Sequence, residues 1–174
     1  LKPEQVKLNM LFAGGSFGRR ASSKADYLVE AVSIAQAIKG AAPVKLVWTR
    51  EDDMRAGFYR PMYVHGVSAA VDGAGQLSGW RHTVVGQSIM KGSPFEGMIQ
   101  NGLDPTSVEG IADMVYPVPS VRVELHTTEL PVPVLWWRSV GHTHTAFVME
   151  TLIDELAALA GRDPVEFRRA HFAK

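Results

Sequence analysis

The apolar residues of this chain recur with two periods, one typical of strands and one typical of helices. Alternating polar and apolar positions predict strands at residues 6–12, 44–48, 63–71, 77–85 and 121–127. Helical spacing predicts amphipathic helices at residues 27–38 and 145–160, each ended by a glycine. Because hairpins outnumber helical crossovers, we expect an α+β fold with a mixed, largely antiparallel sheet packed with two or three helices.

Capping and turn residues punctuate these elements. Ser22 or Ser23 is predicted to cap the first helix, and Thr49 a short turn. The run Asp72-Gly73-Ala74-Gly75 predicts the turn of a hairpin, and Asp163 before a proline predicts the start of a further short helix. Residues 86–119 are rich in glycine and proline with little periodicity, which indicates a long irregular excursion.

Length and composition indicate an ordinary globular segment. The 174 residues suffice for one sizeable core, and the 18 basic residues equal the 18 acidic ones, which argues against nucleic acid and anionic membranes as partners. Without cysteine, the chain holds no disulfide, thiolate zinc site or cysteine-ligated iron–sulfur cluster. No apolar stretch reaches the length of a membrane span. Both ends read as cuts inside a longer polypeptide, so we expect residues 1–174 to be a single segment of a larger domain.

A glycine turn stands between the first predicted strand and the first predicted helix, with the sequence Gly14-Gly15-Ser16-Phe17-Gly18. Clustered backbone N–H groups in such a turn form a cradle for oxo groups or phosphates. The turn lacks the spacing of a Walker loop and of a dinucleotide fingerprint. The alternative interpretation is a plain strand-to-helix connection that needs glycine for its geometry.

A second run precedes the last long helix, with the sequence Trp136-Trp137-Arg138-Ser139-Val140-Gly141. A guanidinium at a strand-to-helix junction suits a phosphate or oxo group. The alternative is an arginine stacked on one of the tryptophans and paired with a surface carboxylate.

Histidines and carboxylates offer no persuasive catalytic or metal constellation. His142 and His144 could begin a metal site, but no third ligand is evident, and a helix cap or a polar contact is the competing interpretation. The other histidines are scattered along the sequence. No serine-hydrolase elbow and no convincing acid/base pair of carboxylates is present.

Together, the two runs resemble the molybdenum hydroxylases, the xanthine dehydrogenase and aldehyde oxidase superfamily, and within it the large subunit of the isoquinoline 1-oxidoreductase type. The glycine turn, continued by Arg19-Arg20, is similar to the family's Gly-Gly-Gly-Phe-Gly loop. Residues 137–144 resemble its Arg-Gly-x-Gly cofactor turn. Residues 47–61 and 147–169 resemble the segments that follow these turns.

The resemblance implies a molybdenum–molybdopterin cofactor, with the cytosine dinucleotide form as one option. The cofactor-binding residues it implies are Gly15, Ser16, Phe17, Gly18, Arg138, Ser139, Val140 and Gly141. It places no catalytic residue and no metal ligand in this chain, because the family's general base is a glutamate in a Gly-x-Gly-Glu turn that these residues lack. We therefore expect the segment alone to be inactive.

The resemblance further implies an oxidoreductase that hydroxylates N-heterocycles or oxidises aldehydes with water as the oxygen source. Electrons would leave through a small partner subunit that carries the iron–sulfur clusters. A periplasmic or membrane-associated location is implied in the same way. The alternatives are a non-catalytic interaction domain and a phosphate- or nucleotide-binding domain.

Overall fold

The computed structural model describes residues 2–172 and contains one mixed sheet of three strands. They are β1 (Tyr63–Val71), β2 (Leu77–Gln87) and β3 (Val121–Thr128), in the order β1-β2-β3. β1 and β2 form the antiparallel hairpin, whereas β3 lies parallel to β2. The predicted α+β class with a mixed sheet is confirmed.

Four α-helices accompany the sheet, one more than the largest number expected. They are α1 (Asp26–Ala37), α2 (Arg50–Ala56), α3 (His142–Leu159) and α4 (Pro164–His171). The added helix is α2, where a short turn was predicted: Thr49 Oγ1 accepts a hydrogen bond from the Asp52 N–H, and the Asp52 carboxylate accepts one from the Thr49 N–H. This reciprocal cap satisfies two backbone donors and lets the turn continue as a helix.

The core lies where α3 and α4 pack beside the hairpin. α3 contacts both β1 and α4. The fully or almost fully buried apolar side chains of this core are Leu77, Trp80, Val84, Ile111, Tyr116, Met149, Ile153, Leu156, Ala157 and Phe167. Two of them, Ile111 and Tyr116, come from the irregular excursion, which therefore belongs to the body of the fold.

Two predicted strands are wrong. Residues 6–12 and 44–48 run without regular secondary structure and pair with no strand in the described part of the chain. A strand exists only where neighbouring backbone accepts and donates its hydrogen bonds, and alternation alone does not supply that neighbour. Leu8 is 71% exposed and Met10 85% exposed, so the alternating apolar side chains have no sheet face to cover.

Some helices begin where a neighbouring residue caps them, and others begin where contacts with distant residues allow it. The predicted Ser22 or Ser23 cap is wrong, since α1 begins at Asp26 after Ala25, with no side-chain cap. Asp163 caps α4 as predicted, accepting from the Val165 and Glu166 N–H groups. α3 begins three residues earlier than predicted.

Candidate cofactor site

The glycine turn and the arginine run lie side by side although more than a hundred residues separate them. The Arg138 N–H donates a hydrogen bond of 2.8 Å to the Phe17 carbonyl oxygen. Gly18 packs directly on the backbone of the second run: a Cβ there would lie 2.5 Å from the Trp136 carbonyl oxygen and 2.8 Å from Trp137 Cα. The approach therefore requires a residue without a side chain at position 18.

Both turns adopt backbone conformations that L-amino acids rarely occupy. Gly15 and Gly18 have φ values of 116° and 108°, and Phe17 between them has 53°. In the second run, Ser139 has a φ of 71° and the β-branched Val140 one of 41°. Non-glycine residues in the left-handed region cost of order 1–3 kcal/mol each and cluster at ligand sites. Phe17, Ser139 and Val140 are three such residues at one place, which makes this junction the candidate for a binding site.

The turns leave backbone donors available. Within residues 2–172, the N–H groups of Ser16, Phe17, Gly18 and Ser139 donate to no protein acceptor. Ser16 and Gly18 are half-buried, whereas Phe17 and Ser139 are exposed, so these donors lie at the protein surface. Unused backbone N–H groups gathered in a turn are a feature that binds an oxo group or phosphate.

The Arg138 side chain is exposed and uncommitted. Among the described residues it forms no ion pair with a carboxylate and stacks on no aromatic ring, which removes the support for the stacked-arginine alternative. Its backbone, in contrast, is held: the Arg60 guanidinium donates to the Arg138 carbonyl oxygen at 3.1 Å and to Thr143 Oγ1 at 2.6 Å. The guanidinium of Arg138 is thus free for a ligand on a fixed backbone.

Gly141 closes the second run against the irregular excursion. Its N–H donates to Glu109 Oε2 at 2.9 Å, and a Cβ at this position would collide with the Thr106 carbonyl oxygen. Glu109 Oε2 also lies 3.4 Å from His142 Nδ1. Because Glu109 satisfies the backbone at this point, α3 can start at His142, before the apolar periodicity begins.

The C-terminal side of the glycine turn is held by an arginine. The Arg19 guanidinium pairs with the Asp26 carboxylate and lies 5.7 Å from the Trp48 ring centroid and 5.3 Å from that of Phe58. The hydrogen bond to Asp26 raises the pKa of Arg19, and the same bond lowers the pKa of Asp26. Arg19 is therefore engaged in packing, whereas the Arg138 and Arg20 guanidinium groups form no ion pair among the described residues.

Sequence reasoning missed three contributors to this junction. Arg60, Thr106 and Glu109 fix the second run from two different segments. Arg60 stands in a segment that carried the family resemblance, but neither composition nor spacing singled out Glu109 or Thr106. Their contribution depends on how the irregular excursion folds back, which no periodicity encodes.

A groove of about 670 Å³ lies next to the glycine turn. Its lining is mainly apolar, from residues 8–12, Leu28, Leu46 and Trp48, and includes Arg19, Arg20 and Asp53. Because Arg19 is already paired with Asp26 and most of the lining is apolar, we place the candidate site at the junction of the two turns. Among residues 2–172, no three His, Asp or Glu side chains are arranged so that they could hold a metal ion.

The fold is that of a cofactor-binding domain of molybdenum oxidoreductases. The family described as "Molybdopterin cofactor-binding domain" matches residues 1–172, and the chain belongs to this family.

Comparisons with individual proteins support the same family assignment. The chain is 33% identical over 173 residues to the isoquinoline 1-oxidoreductase subunit beta of Brevundimonas diminuta, covering 98% of this chain and 22% of that protein. It is 30% identical to the membrane-bound aldehyde dehydrogenase [pyrroloquinoline-quinone] of Gluconacetobacter polyoxogenes, over 94% of this chain and 22% of that protein. The aldehyde oxidoreductase of Desulfovibrio gigas has the same fold, with a TM-score of 0.68 at 23% identity over 92% of this chain and 17% of that structure. The chain thus spans about a fifth of the length of these proteins.

No helix within residues 2–172 combines the length and the apolar character needed to cross a bilayer.

Proposed function

We propose that the junction of the two turns holds the molybdenum cofactor of a larger oxidoreductase subunit. Gly15, Ser16, Phe17 and Gly18 form one side of the site, and Arg138, Ser139, Val140 and Gly141 form the other. The observation that carries the proposal is the backbone contact between Phe17 and Arg138, which gathers unused N–H groups and an unpaired guanidinium at one place. These donors fit an oxo group and a phosphate.

The roles of the two sides differ. The amides of Phe17 and Gly18 would donate to an oxo group of the cofactor, since the backbone of the turn holds them in place before the ligand arrives. Arg138 would pair with an anionic group of the cofactor, and Arg60 holds the Arg138 backbone. When bound, the cofactor supplies the two-electron oxidation chemistry. The chain's own residues bind and orient it.

The remaining functional assignments rest on the family. We propose an N-heterocycle or an aldehyde as the substrate and a separate iron–sulfur subunit as the partner, with the cytosine dinucleotide form as one option for the cofactor. We also propose that turnover needs a glutamate outside these 174 residues and that the protein acts in the periplasm or at a membrane. The quinone in the name of one relative is not transferred, because the family that matches this chain is a molybdopterin cofactor-binding domain. The same match favours molybdopterin over the nucleotide-binding and interaction-domain alternatives.

The proposal is tested by molybdenum content per chain in the full-length protein. Arg138→Gln removes the free guanidinium, and since a charge-assisted hydrogen bond is lost, cofactor affinity should fall roughly tenfold, or about 1.4 kcal/mol. Gly18→Val should abolish binding because the side chain collides with Trp136 and Trp137. Matched controls are Arg55→Gln on the exposed face of α2 and Gly14→Ala, where a Cβ has open space.

Elemental analysis is read together with a thermal unfolding midpoint, so that loss of folding and loss of cofactor are separated. If Arg138→Gln and Gly18→Val are both folded and both keep the molybdenum content of the controls, the cofactor is held elsewhere.

A further inference from the structure

Three histidines that are far apart in sequence form one hydrogen-bonded chain beside the second turn. His82 Nε2 lies 2.7 Å from His65 Nδ1, and His65 Nε2 lies 3.0 Å from His144 Nδ1. His65 comes from β1, His82 from β2 and His144 from the first turn of α3, so the chain joins the sheet to the start of that helix. In the sequence, His65 and His82 form no recognisable motif. The register of the hairpin brings them together.

The chain begins at a tryptophan, and this gives it a direction. Trp80 Nε1 lies 3.3 Å from His82 Nδ1, and an indole N–H donates but never accepts. His82 Nδ1 must therefore accept, which leaves the proton of the neutral ring on Nε2. His65 Nδ1 therefore accepts from His82 Nε2–H, and His144 Nδ1 accepts from His65 Nε2–H in the same way. Each ring accepts at Nδ1 and donates at Nε2.

The surroundings keep the rings neutral. Burial lowers the pKa of His82 and of His144 to about 4, and it also lowers the pKa of His65. The neighbouring histidines and Arg60 act in the same direction on His144. The Tyr63 ring stacks on the His144 imidazole with centroids 3.7 Å apart, which fixes the plane of that ring.

The far end of the chain is a buried donor without an acceptor. Among the described residues, His144 Nε2 is buried and has no hydrogen-bond partner, and the same holds for Trp137 Nε1. Both residues line one small cavity together with Val140 and Gly141, and its volume of about 10 Å³ is the space of a single water molecule. Two buried N–H groups beside such a cavity require a hydrogen-bond acceptor.

We propose that this cavity is a binding site for one water molecule, which accepts from His144 Nε2–H and Trp137 Nε1–H. His144 is then a positioning residue: the directed chain from Trp80 presents its N–H to the water, and the water ties the start of α3 to the strained turn at Val140. The row of histidines does not carry protons, because it begins at the Trp80 indole, which cannot accept one. The inference is independent of the function proposed above.

The first test is a crystal structure of the full-length protein at a resolution that orders buried water. We expect a solvent peak within hydrogen-bond distance of both nitrogens, whether or not the cofactor is bound. A cavity without density, or a protein group that contacts either nitrogen instead, overturns the proposal. A peak that occurs only with the cofactor bound also overturns it, since the acceptor would then belong to the cofactor.

Two variants distinguish the effect of losing the Nε2–H donor from the effect of losing the imidazole ring. His144→Gln places an amide N–H near the position of Nε2, whereas His144→Asn places its polar atoms near Nδ1 and leaves the cavity without the donor. We expect the water peak to persist in His144→Gln and to vanish in His144→Asn. Equal occupancy in both variants overturns the role of the Nε2 donor.

The direction of the three-histidine hydrogen bonds can also be measured without a variant, from the tautomer of each ring. In microcrystals of the full-length protein labelled with ¹⁵N-histidine, solid-state NMR should show His65, His82 and His144 as Nε2–H tautomers at neutral pH. An Nδ1–H tautomer at any of the three contradicts the proposed direction, even if every variant were to misfold.

Discussion

The two halves of the chain differ in how their apolar residues are used. In residues 63–172, strands and helices bury their apolar faces, and side chains such as Ile153 and Phe167 are fully inaccessible. In residues 2–62, the same kind of pattern leads to exposed side chains: Phe12 is fully exposed, and no residue of α1 is buried. A periodic pattern of apolar residues therefore shows which face a segment could bury. Whether that face is buried depends on another element that packs against it.

The candidate site lies where these two halves meet. Phe17 belongs to the first half and Arg138 to the second, and their backbones are joined by a hydrogen bond. A second link is close by, since Tyr59 and Val134 form an isolated parallel bridge. The arginine run is thus fixed from both sides, by Glu109 of the well-packed half and by Arg60 of the less covered half, which also contributes the glycine turn.

The largest expected effect comes from breaking the core of the second half. Phe167→Ala should lower the free energy of unfolding by about 3–5 kcal/mol, because it removes a fully buried ring and leaves a cavity. Phe12→Ala, the matched change in the first half, should stay within about 0.5 kcal/mol since that ring is exposed. Chemical denaturation of this chain measures both, and equal losses would contradict the contrast between the halves.

A further effect is expected from acid, and between about pH 6.5 and pH 4 it falls on the buried histidines of the second half. The folded pKa of His82 and of His144 is about 4, below the ordinary value of 6.5. Between these values the unfolded chain binds more protons, so this stability is complete above about pH 6.5 and is lost as pH falls towards 4. Each histidine adds a slope of up to roughly 1.4 kcal/mol per pH unit.

Unfolding free energies at several pH values check this expectation. His144→Gln removes one of the two groups and should reduce their joint slope by about half, whereas His126→Gln on β3 controls for the loss of a histidine that is exposed. The same slope in wild type and in His144→Gln would show that His144 is not held neutral by the fold.

The smallest effect concerns the contact that starts α3 at the site. Glu109→Ala leaves the Gly141 N–H without its acceptor and should cost about 1 kcal/mol, the usual worth of a helix cap. Glu155→Ala, on the exposed face of α3, should change stability by less than about 0.5 kcal/mol. Thermal unfolding compares the two, and a Glu109→Ala variant as stable as Glu155→Ala would remove this contact from the account.

Sequence reasoning succeeds where structure is local. The hairpin turn at residues 72–75 is built by Asp72 Oδ1, which accepts from the Ala74 and Gln76 N–H groups, and such a turn can be predicted from its residues alone. The cap at Asp163 is equally local. The motifs of the candidate site could be found for a similar reason, since unusual backbone conformations demand glycine at fixed positions.

The rest depends on distant contacts. Glu109 determines where α3 begins, and Arg60 holds the Arg138 backbone from 78 positions away. The three-histidine chain follows from the register of β1 against β2, which pairs Val67 with His82 and so sets His65 diagonally across from it. Alternation predicted strands at residues 6–12 and 44–48 because it reports side-chain periodicity and carries no information on pairing.

The most direct test of the central claim is a crystal structure of the full-length protein with its molybdenum cofactor bound. The account predicts that the cofactor lies between the two turns, with the Phe17 and Gly18 N–H groups and the Arg138 guanidinium within hydrogen-bond distance of its oxygen atoms. A cofactor bound elsewhere in the protein, with these two turns in contact only with each other, would contradict it.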